Sequence, residues 1–250
     1  MPNWVFNTVT IQDHSAETID SIKNLLNRPF SKEAENWNMS TQQMEFKTYN
    51  YSNPVFSFWN IIAPTDLETY QLQKDPNENP DILFSGDNWY NWNVRNWGTK
   101  WDVAVWDNDE YPDTVLHEHK SNEHDQWIVY GMQTAWSPPV PALEKLSALY
   151  PSAVITLEYE EETGWGGEIE FVNGKMTAES SYDNKCRDCD ELNTLDYCDN
   201  DCGEICSACN WLGEADLECV KECQTHKIYL DSDHTPEYRK EALENATRSI

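Results

Sequence analysis

The residues best suited to chemistry lie in one short stretch. All eight cysteines of the 250-residue chain fall between Cys186 and Cys223, and residues 1–185 contain none. They read Cys186-x2-Cys189-x8-Cys198-x3-Cys202, then three residues, then Cys206-x2-Cys209-x9-Cys219-x3-Cys223, so the two halves are near-repeats. Close thiolate pairs separated by a loop reach the corners of a tetrahedron around Zn²⁺, as structural zinc sites require. The spacing predicts two structural zinc ions held by Cys186, Cys189, Cys198, Cys202, Cys206, Cys209, Cys219 and Cys223. Sequential pairing and an interleaved cross-brace use the same eight ligands. Iron–sulfur ligation and disulfide bridges are the alternatives. A segment this short lacks a core of its own, so a zinc module here folds only with metal. The i, i+4 spacing of Cys219 and Cys223 also suits a helical turn over 218–225. His226 could replace one of the cysteines but, as a lone residue near a helix end, reads as an ordinary surface histidine.

Three other constellations are candidates. His117, His119 and His124 alternate with Glu118, Glu123 and Asp125, a set that suits metal ligation but equally a solvated loop. Glu158, Glu160, Glu161 and Glu162, with Glu168 and Glu170 on a following strand, offer paired carboxylates of the kind a hydrolase uses. Acids alternating outward on an amphipathic strand produce the same pattern, and no second class of catalytic group is spaced to help. Trp89, Trp92, Trp97, Trp101 and Trp106 fall within 18 residues. They serve either as core anchors or as an aromatic recognition surface, for which Trp89, Trp92 and Trp97 are the candidates. No phosphate-cradling glycine loop, HExxH or GxSxG element is present.

Charge narrows the choice of partner. The chain carries 45 acidic against 17 basic side chains, a formal −28. Residues 101–170 hold 15 acids and 2 bases, and residues 186–223 hold 11 acids and 2 bases, so two segments generate most of the field. A nucleic-acid binder needs basic surface to displace counterions from phosphates, so direct nucleic-acid binding is excluded, and anionic membranes are poor partners for the same reason. Twelve Trp and twelve Tyr supply core material that a disordered chain lacks. No window approaches the ~18 apolar residues of a membrane span. No signal peptide is readable after Met1, which points to a reducing compartment and makes structural disulfides the less favoured arrangement. The glycosylation matches at Asn38 and Asn245 read as chance in that context.

These residues must be positioned by a sheet. Trp4 to Gln12 alternates Val5, Asn7 and Val9 against Trp4, Phe6 and Thr8 and reads as a strand. Asp13 or Ser15 caps a helix that buries Ile19, Ile22, Leu25 and Leu26 and stops near residue 28 before Pro29. Residues 30–99 read as an insertion, with a helix within 31–44, a buried strand over 56–62, a helix over 66–73 and a loop around Pro76 and Pro80. Trp101 to Trp106 alternates and predicts a strand, followed by a polar turn-rich stretch over 107–125. Trp127 to Trp136 predicts a strand. Pro138, Pro139 and Pro141 introduce a helix with Leu143, Leu146 and Leu149 buried, and residues 153–161 predict another strand. Asn173-Gly174 marks a hairpin between 166–171 and 175–179. The order is the split βαβ, ferredoxin-like α+β arrangement with an antiparallel sheet. The expected organisation is a ferredoxin-like domain over 1–182, with its insertion at about 30–99, then a cysteine-rich zinc module and C-terminal helix over 183–250.

Four strings carry a resemblance: Met1-Pro-Asn-Trp-Val-Phe-Asn7, Asn96-Trp-Gly-Thr-Lys-Trp-Asp102, Thr134-Ala-Trp-Ser-Pro-Pro139 and the strand ending Tyr159-Glu-Glu161. Over roughly residues 1–12 and 88–172 the chain resembles the Api92-like family, also described as having a YubB-type ferredoxin-like domain, found in phages and conjugative plasmids. The resemblance implies a mobile-element protein with a split βαβ sheet. It implies no settled activity, so it carries over no catalytic residues, and the cysteine segment departs from it.

The combined expectation is an acidic, non-enzymatic phage protein in the host cytoplasm. It binds and inhibits a host protein with a basic surface, such as a defence nuclease or another DNA-binding factor, by acting as a DNA mimic. The candidate contact acids are Asp102, Asp107, Asp109, Glu110, Glu158, Glu160, Glu161 and Glu162, with Asp188, Asp190, Glu191, Asp199 and Asp201 in the cysteine module. A structural or scaffold protein is one alternative, and a carboxylate hydrolase is the other.

Overall fold

A computed structural model describes residues 3–65, 88–107, 114–121, 126–186, 189–193, 195–197 and 204–206. Strand β1 (Trp4–Asp13) lies inside a six-stranded sheet and pairs antiparallel with both β5 (Gln126–Ala135) and β6 (Val154–Glu161). Its register sets Asn7 opposite Met132 on one side and opposite Tyr159 on the other. Strands β4 (Thr114–Ser121), β7 (Gly166–Val172) and β8 (Lys175–Tyr182) complete the order β4-β5-β1-β6-β7-β8. Helix α1 (Ala16–Leu26) follows β1, and helix α4 (Val140–Leu149) joins β5 to β6. Two β-α-β units, β1-α1-β4 and β5-α4-β6, thus interleave to give the ferredoxin-like order, and the β7–β8 hairpin extends the sheet on one side.

Period two decides which face is buried. Val5, Val9 and Ile11 of β1, Ile128, Tyr130 and Met132 of β5, and Ile155 and Leu157 of β6 join one core with Ile19, Ile22 and Leu26 of α1 and with Leu143 and Leu146 of α4. Each such side chain contributes about 1.5–3 kcal/mol when fully buried. Ser15 caps α1 by accepting from Thr18 N at 3.2 Å, and Asp13 accepts from Ser15 N at 2.7 Å. Asn173 and Gly174 both hold positive φ, 51° and 71°, as a two-residue hairpin turn demands. Leu149 departs from its expected burial: it ends α4 at 47% exposure, while Ala142 and Ser147 are buried instead.

The insertion differs from its sequence reading. The expected helix within 31–44 is a hairpin, β2 (Phe30–Asn38) with β3 (Gln43–Tyr51), registered from Phe30↔Tyr51 to Asn38↔Gln43. Lys32, Glu33, Ala34 and Glu35 favour helix locally, but stacking of Phe30 on Tyr51 at 4.3 Å and on Trp59 at 6.0 Å holds the base of the hairpin. The expected strand over 56–62 is instead the short helix α2 (Phe58–Ile61). The expected strand over 101–106 is irregular, and one residue accounts for both differences. The Asp102 carboxylate accepts from Ser57 Oγ at 2.8 Å, Phe58 N at 2.9 Å, Trp59 N at 3.0 Å and Ala104 N at 3.1 Å. It supplies the first N–H groups of α2 with an acceptor and turns its own backbone out of an extended ladder. The strand lies farther on, as β4, within the stretch expected to be turns. Its alternation is broken by a register shift between Leu116 and Glu118. The expected helices over 66–73 and 218–225 and the loop around Pro76 and Pro80 lie outside the described residues.

Helix α3 (Trp89–Trp97) ends at Gly98, whose φ of 86° suits a left-handed cap. A Cβ there would meet Pro141 Cδ at 2.5 Å and the Pro138 carbonyl oxygen at 2.9 Å. Around this point Ser137 Oγ donates to the Gly98 carbonyl, and Thr99 Oγ1 donates to Ala135 O at 2.9 Å. Thr134 Oγ1 donates to Ser137 O at 2.8 Å, and Asn7 Nδ2 donates to Thr134 Oγ1 at 2.9 Å. One polar clasp therefore ties β1, the end of α3 and the β5–α4 connection.

The chain divides into two compact units, residues 1–162 with 167–180, and residues 163–166 with 181–250. In the second unit, Lys185 and Leu192 form an isolated antiparallel bridge, and β9 (Leu195–Tyr197) pairs with β10 (Glu204–Cys206). The Asn184 side chain substitutes for a strand neighbour: Oδ1 accepts from Leu195 N at 3.0 Å and Nδ2 donates to Leu195 O at 3.3 Å.

Candidate interaction surface

On β6 and β7 the acids occupy the positions that alternate with the core. Ile155 and Leu157 of β6 and Ile169 and Phe171 of β7 are buried toward the helices. Glu158 and Glu160, then Glu168 and Glu170, occupy the opposite face. The two-residue turn sets Glu170 opposite Thr177, whose hydroxyl donates to Glu170 Oε1 at 2.6 Å. It likewise sets Glu168 opposite Glu179 of β8. On the β1 side, Glu160 stands opposite Phe6 and Glu158 opposite Thr8, and Phe6 is 49% exposed. Five carboxylates from three neighbouring strands therefore share one sheet face, with an exposed phenyl ring beside them.

The structure sorts the other candidate acids by role. Glu161 shares the parity of Leu157 and Tyr159 and is buried at 2% exposure, so it does not present its carboxylate to a partner. Glu162 is exposed in the turn after β6, with its N–H donating to Trp4 O at 3.1 Å. Asp102 is the α2 cap. Asp107 accepts from Ser52 N and Ser52 Oγ, both at 2.8 Å. Asp190 and Glu191 are exposed, and Asp190 lies 3.6 Å from Lys185 Nζ. Asp109, Glu110, Asp188, Asp199 and Asp201 lie outside the described residues. Tyr159, which shares the inward parity of Leu157 and Glu161, is held above the ordinary phenol range by burial first and by the charge of Glu179 second.

The tryptophan cluster is mostly structural. Trp97 is fully buried, stands edge-on to Trp92 at 5.4 Å and donates through Nε1 to Ile62 O at 2.9 Å, so it leaves the recognition candidates. Trp89 and Trp92 are half-buried. Cations sit above several rings: Lys100 over Trp101 at 4.3 Å, Lys47 over Trp106 at 4.8 Å and over Tyr49 at 5.0 Å, and Lys32 over Trp59 at 5.7 Å. Burial among the rings lowers the Lys32 ammonium pKa, against the pull of Asp102. His117 is exposed at the β4 irregularity and lies against Gly131 of β5. His119 stands opposite Ile128, and His124, Glu123 and Asp125 lie outside the described residues.

The first cysteine pair sits in a closed turn. Cys186 N donates to Glu191 O and Asp190 N donates to Cys186 O, both at 3.0 Å, with Asp190 at φ 60° directly after Cys189. Cys186 is buried and Cys189 half-buried. Cys206 ends β10 opposite Leu195, and Cys198, Cys202, Cys209, Cys219 and Cys223 lie outside the described residues. Among the described residues no group of three or more His, Cys, Asp or Glu is arranged to hold a metal ion. No described helix is long and apolar enough to cross a membrane.

The strand order and the two crossing helices define a ferredoxin-like α+β protein. Residues 116–203 match the family described as the ferredoxin-like domain in Api92-like protein. Over those residues the chain is similar to that family, in agreement with the resemblance its sequence strings carry. Three of those strings, around Asn7, Gly98 and Thr134, are the ones that meet in the polar clasp. The crystal structure of a protein api92 from Yersinia pseudotuberculosis is similar at a TM-score of 0.45 and 10% identity, covering 74% of this chain and 100% of that one. No curated protein sequence matches the chain.

Proposed function

We propose that this is a phage-encoded protein of the host cytoplasm that binds and inhibits a host protein, a nucleic-acid-binding defence factor, by presenting carboxylates to its basic cleft. The observation that supports this is the convergence of Glu158, Glu160, Glu168, Glu170 and Glu179 on the sheet face that no described helix covers. Carboxylates held on a rigid sheet compete for a cationic cleft without paying a large ordering cost, and their combined field speeds encounter. The cysteine module is part of the proposal. It holds two structural zinc ions, a reading supported by the eight-cysteine spacing and by the hydrogen-bonded turn that carries Cys186 and Cys189.

The test is co-purification from host lysate followed by salt titration of the identified complex. The native protein should hold a nucleic-acid-binding partner, release it as salt rises, and block that partner's binding to DNA. E158Q/E160Q/E168Q/E170Q should weaken the complex and flatten its salt dependence. A complex indifferent to both salt and these substitutions refutes the charge mechanism. Metal analysis should return two zinc ions per chain, and none would remove the zinc module.

A further inference from the structure

Strand β8 stands at one edge of the six-stranded sheet and pairs with β7 on one side only. Every residue from Lys175 to Ser181 is exposed. The turn before it fixes which backbone groups look outward. A two-residue turn with both φ values positive closes on a hydrogen-bonded pair, here Val172 with Lys175, so Thr177 also bonds to β7. The N–H and C=O groups of Met176 and Ala178 point to the open edge instead.

Long exposed edges are ordinarily guarded by proline or by a charge pointing inward. β8 runs for eight residues without a proline. Met176, Ala178 and Ser180, on the face shared with Ile169 and Phe171, carry no charge, and Met176 is 42% exposed. On the other face Lys175, Thr177 and Glu179 follow one another, and Lys175 is the only basic residue of β6, β7 and β8. The strand thus runs base, neutral, acid on one face and carries Met176 and Ala178 on the other. That pattern complements itself when reversed.

We propose that β8 is the docking edge for a second copy of this chain, two β8 strands pairing antiparallel about a two-fold axis at Thr177. Lys175 of each copy then faces Glu179 of the other, and Met176 faces Ala178 on the opposite face of the sheet. The outward N–H and C=O groups of Met176 and Ala178 find their partners across the axis, which closes the contact on two copies. Neighbouring registers lose this match. An axis at Ala178 sets Lys175 against Ser181, and one at Glu179 sets that carboxylate against itself. Two chains of formal charge −28 repel at a distance, and salt screens that repulsion beyond about 8 Å at physiological strength. The dimer therefore tightens as salt rises, the reverse of the host complex proposed above. No basic partner enters it, so it stands or falls separately from the acidic face.

Sedimentation equilibrium of the full chain at low and high salt tests the pairing. The expected result is a monomer–dimer equilibrium with a Kd of about 10–100 μM, as a contact of this small size allows, that tightens with salt. K175E and E179K should each raise that Kd about tenfold or more, although they change the net charge in opposite directions. K175E/E179K restores both pairs and should return the Kd to within about threefold of native. An equimolar mixture of the K175E and E179K chains should form a heterodimer of native affinity, because each junction again sets a base against an acid. A178P removes an outward N–H and leaves the β7 ladder intact, so it should abolish the dimer and keep a native circular dichroism spectrum. If A178P unfolds, the K175E and E179K mixture decides alone. Monomer alone at both salts up to about 1 mM, a dimer indifferent to these substitutions, or open-ended oligomers in place of dimers overturns the pairing. So does a dimer tightened by E179K, in which net charge alone governs association.

Discussion

Replacing Asp102 separates a structural acid from a recognition acid. D102A removes acceptors from Phe58 N and Trp59 N, from Ser57 Oγ, and from Ala104 N. Hydrogen bonds to a charged group contribute about 1.5–3 kcal/mol net each, and bonds sharing one acceptor group do not add in full. Because the carboxylate is half-buried, water replaces part of what is lost, and the two α2 amides with their cap set the expected cost at about 3 kcal/mol. Against a domain stability of about 5–15 kcal/mol the variant still folds. At a slope of about 2 kcal/mol/M its urea midpoint falls by about 1.5 M. D102N keeps one acceptor oxygen and should lose about half as much. Urea unfolding followed by tryptophan fluorescence and far-ultraviolet circular dichroism gives both numbers. A D102A loss under about 1 kcal/mol would refute the capping argument. If that small loss came with a weakened complex, Asp102 would return to the contact acids.

Two further perturbations test the fold around the surface. G98A forces an L side chain into φ 86° and sets its Cβ against Pro141 and Pro138, so it should cost about 2–4 kcal/mol by urea unfolding; a variant as stable as native would contradict the close approach. Tyr130 and Tyr159 both have phenol pKa values raised by burial, and the Tyr130 hydroxyl has no hydrogen-bond partner among the described residues. For an acid whose folded pKa is raised, the stability it contributes is complete below the unfolded value of about 10 and is lost as pH rises toward the folded one. Absorbance titration at alkaline pH should therefore show at least two of the twelve tyrosines ionising late, together with unfolding. Ionisation of all twelve near pH 10 in the folded protein would refute that assignment.

Local periodicity and turn chemistry made much of the sheet legible. Val5 to Ile11, Ile128 to Thr134 and Ile155 to Leu157 alternate in the way their burial does, Ser15 announces α1, and Asn173-Gly174 announces the β7–β8 hairpin. The misread segments are those where a distant residue decides. Nothing near Phe58 reveals that Asp102 will cap it, and the alternation of Trp101 to Trp106 gives no sign that Asp102 is engaged elsewhere. The helix-forming run from Lys32 to Glu35 conceals a strand held by Tyr51 and Trp59. Edge strand β4 lacks clean alternation because of its register shift. On the candidate surface, the outward parity of Glu158, Glu160, Glu168 and Glu170 was readable. The same parity assigns Glu161 to the inner face with Leu157, a signal that grouping it with its neighbours overlooked.

The acidic rows on β6, β7 and β8 have a consequence for the free protein. Glu160 and Glu168 lie on adjacent strands of one face, Glu168 stands opposite Glu179, and like charges in such positions repel across the sheet. The folded chain holds this repulsion in place, whereas an unfolded chain spreads the same charges apart. Any multivalent cation that settles on the face, whether magnesium, a polyamine or the basic stripe of a protein, therefore binds the folded form more tightly than the unfolded form and raises its melting temperature by mass action. The stability of this fold thereby becomes a gauge of the cations around it.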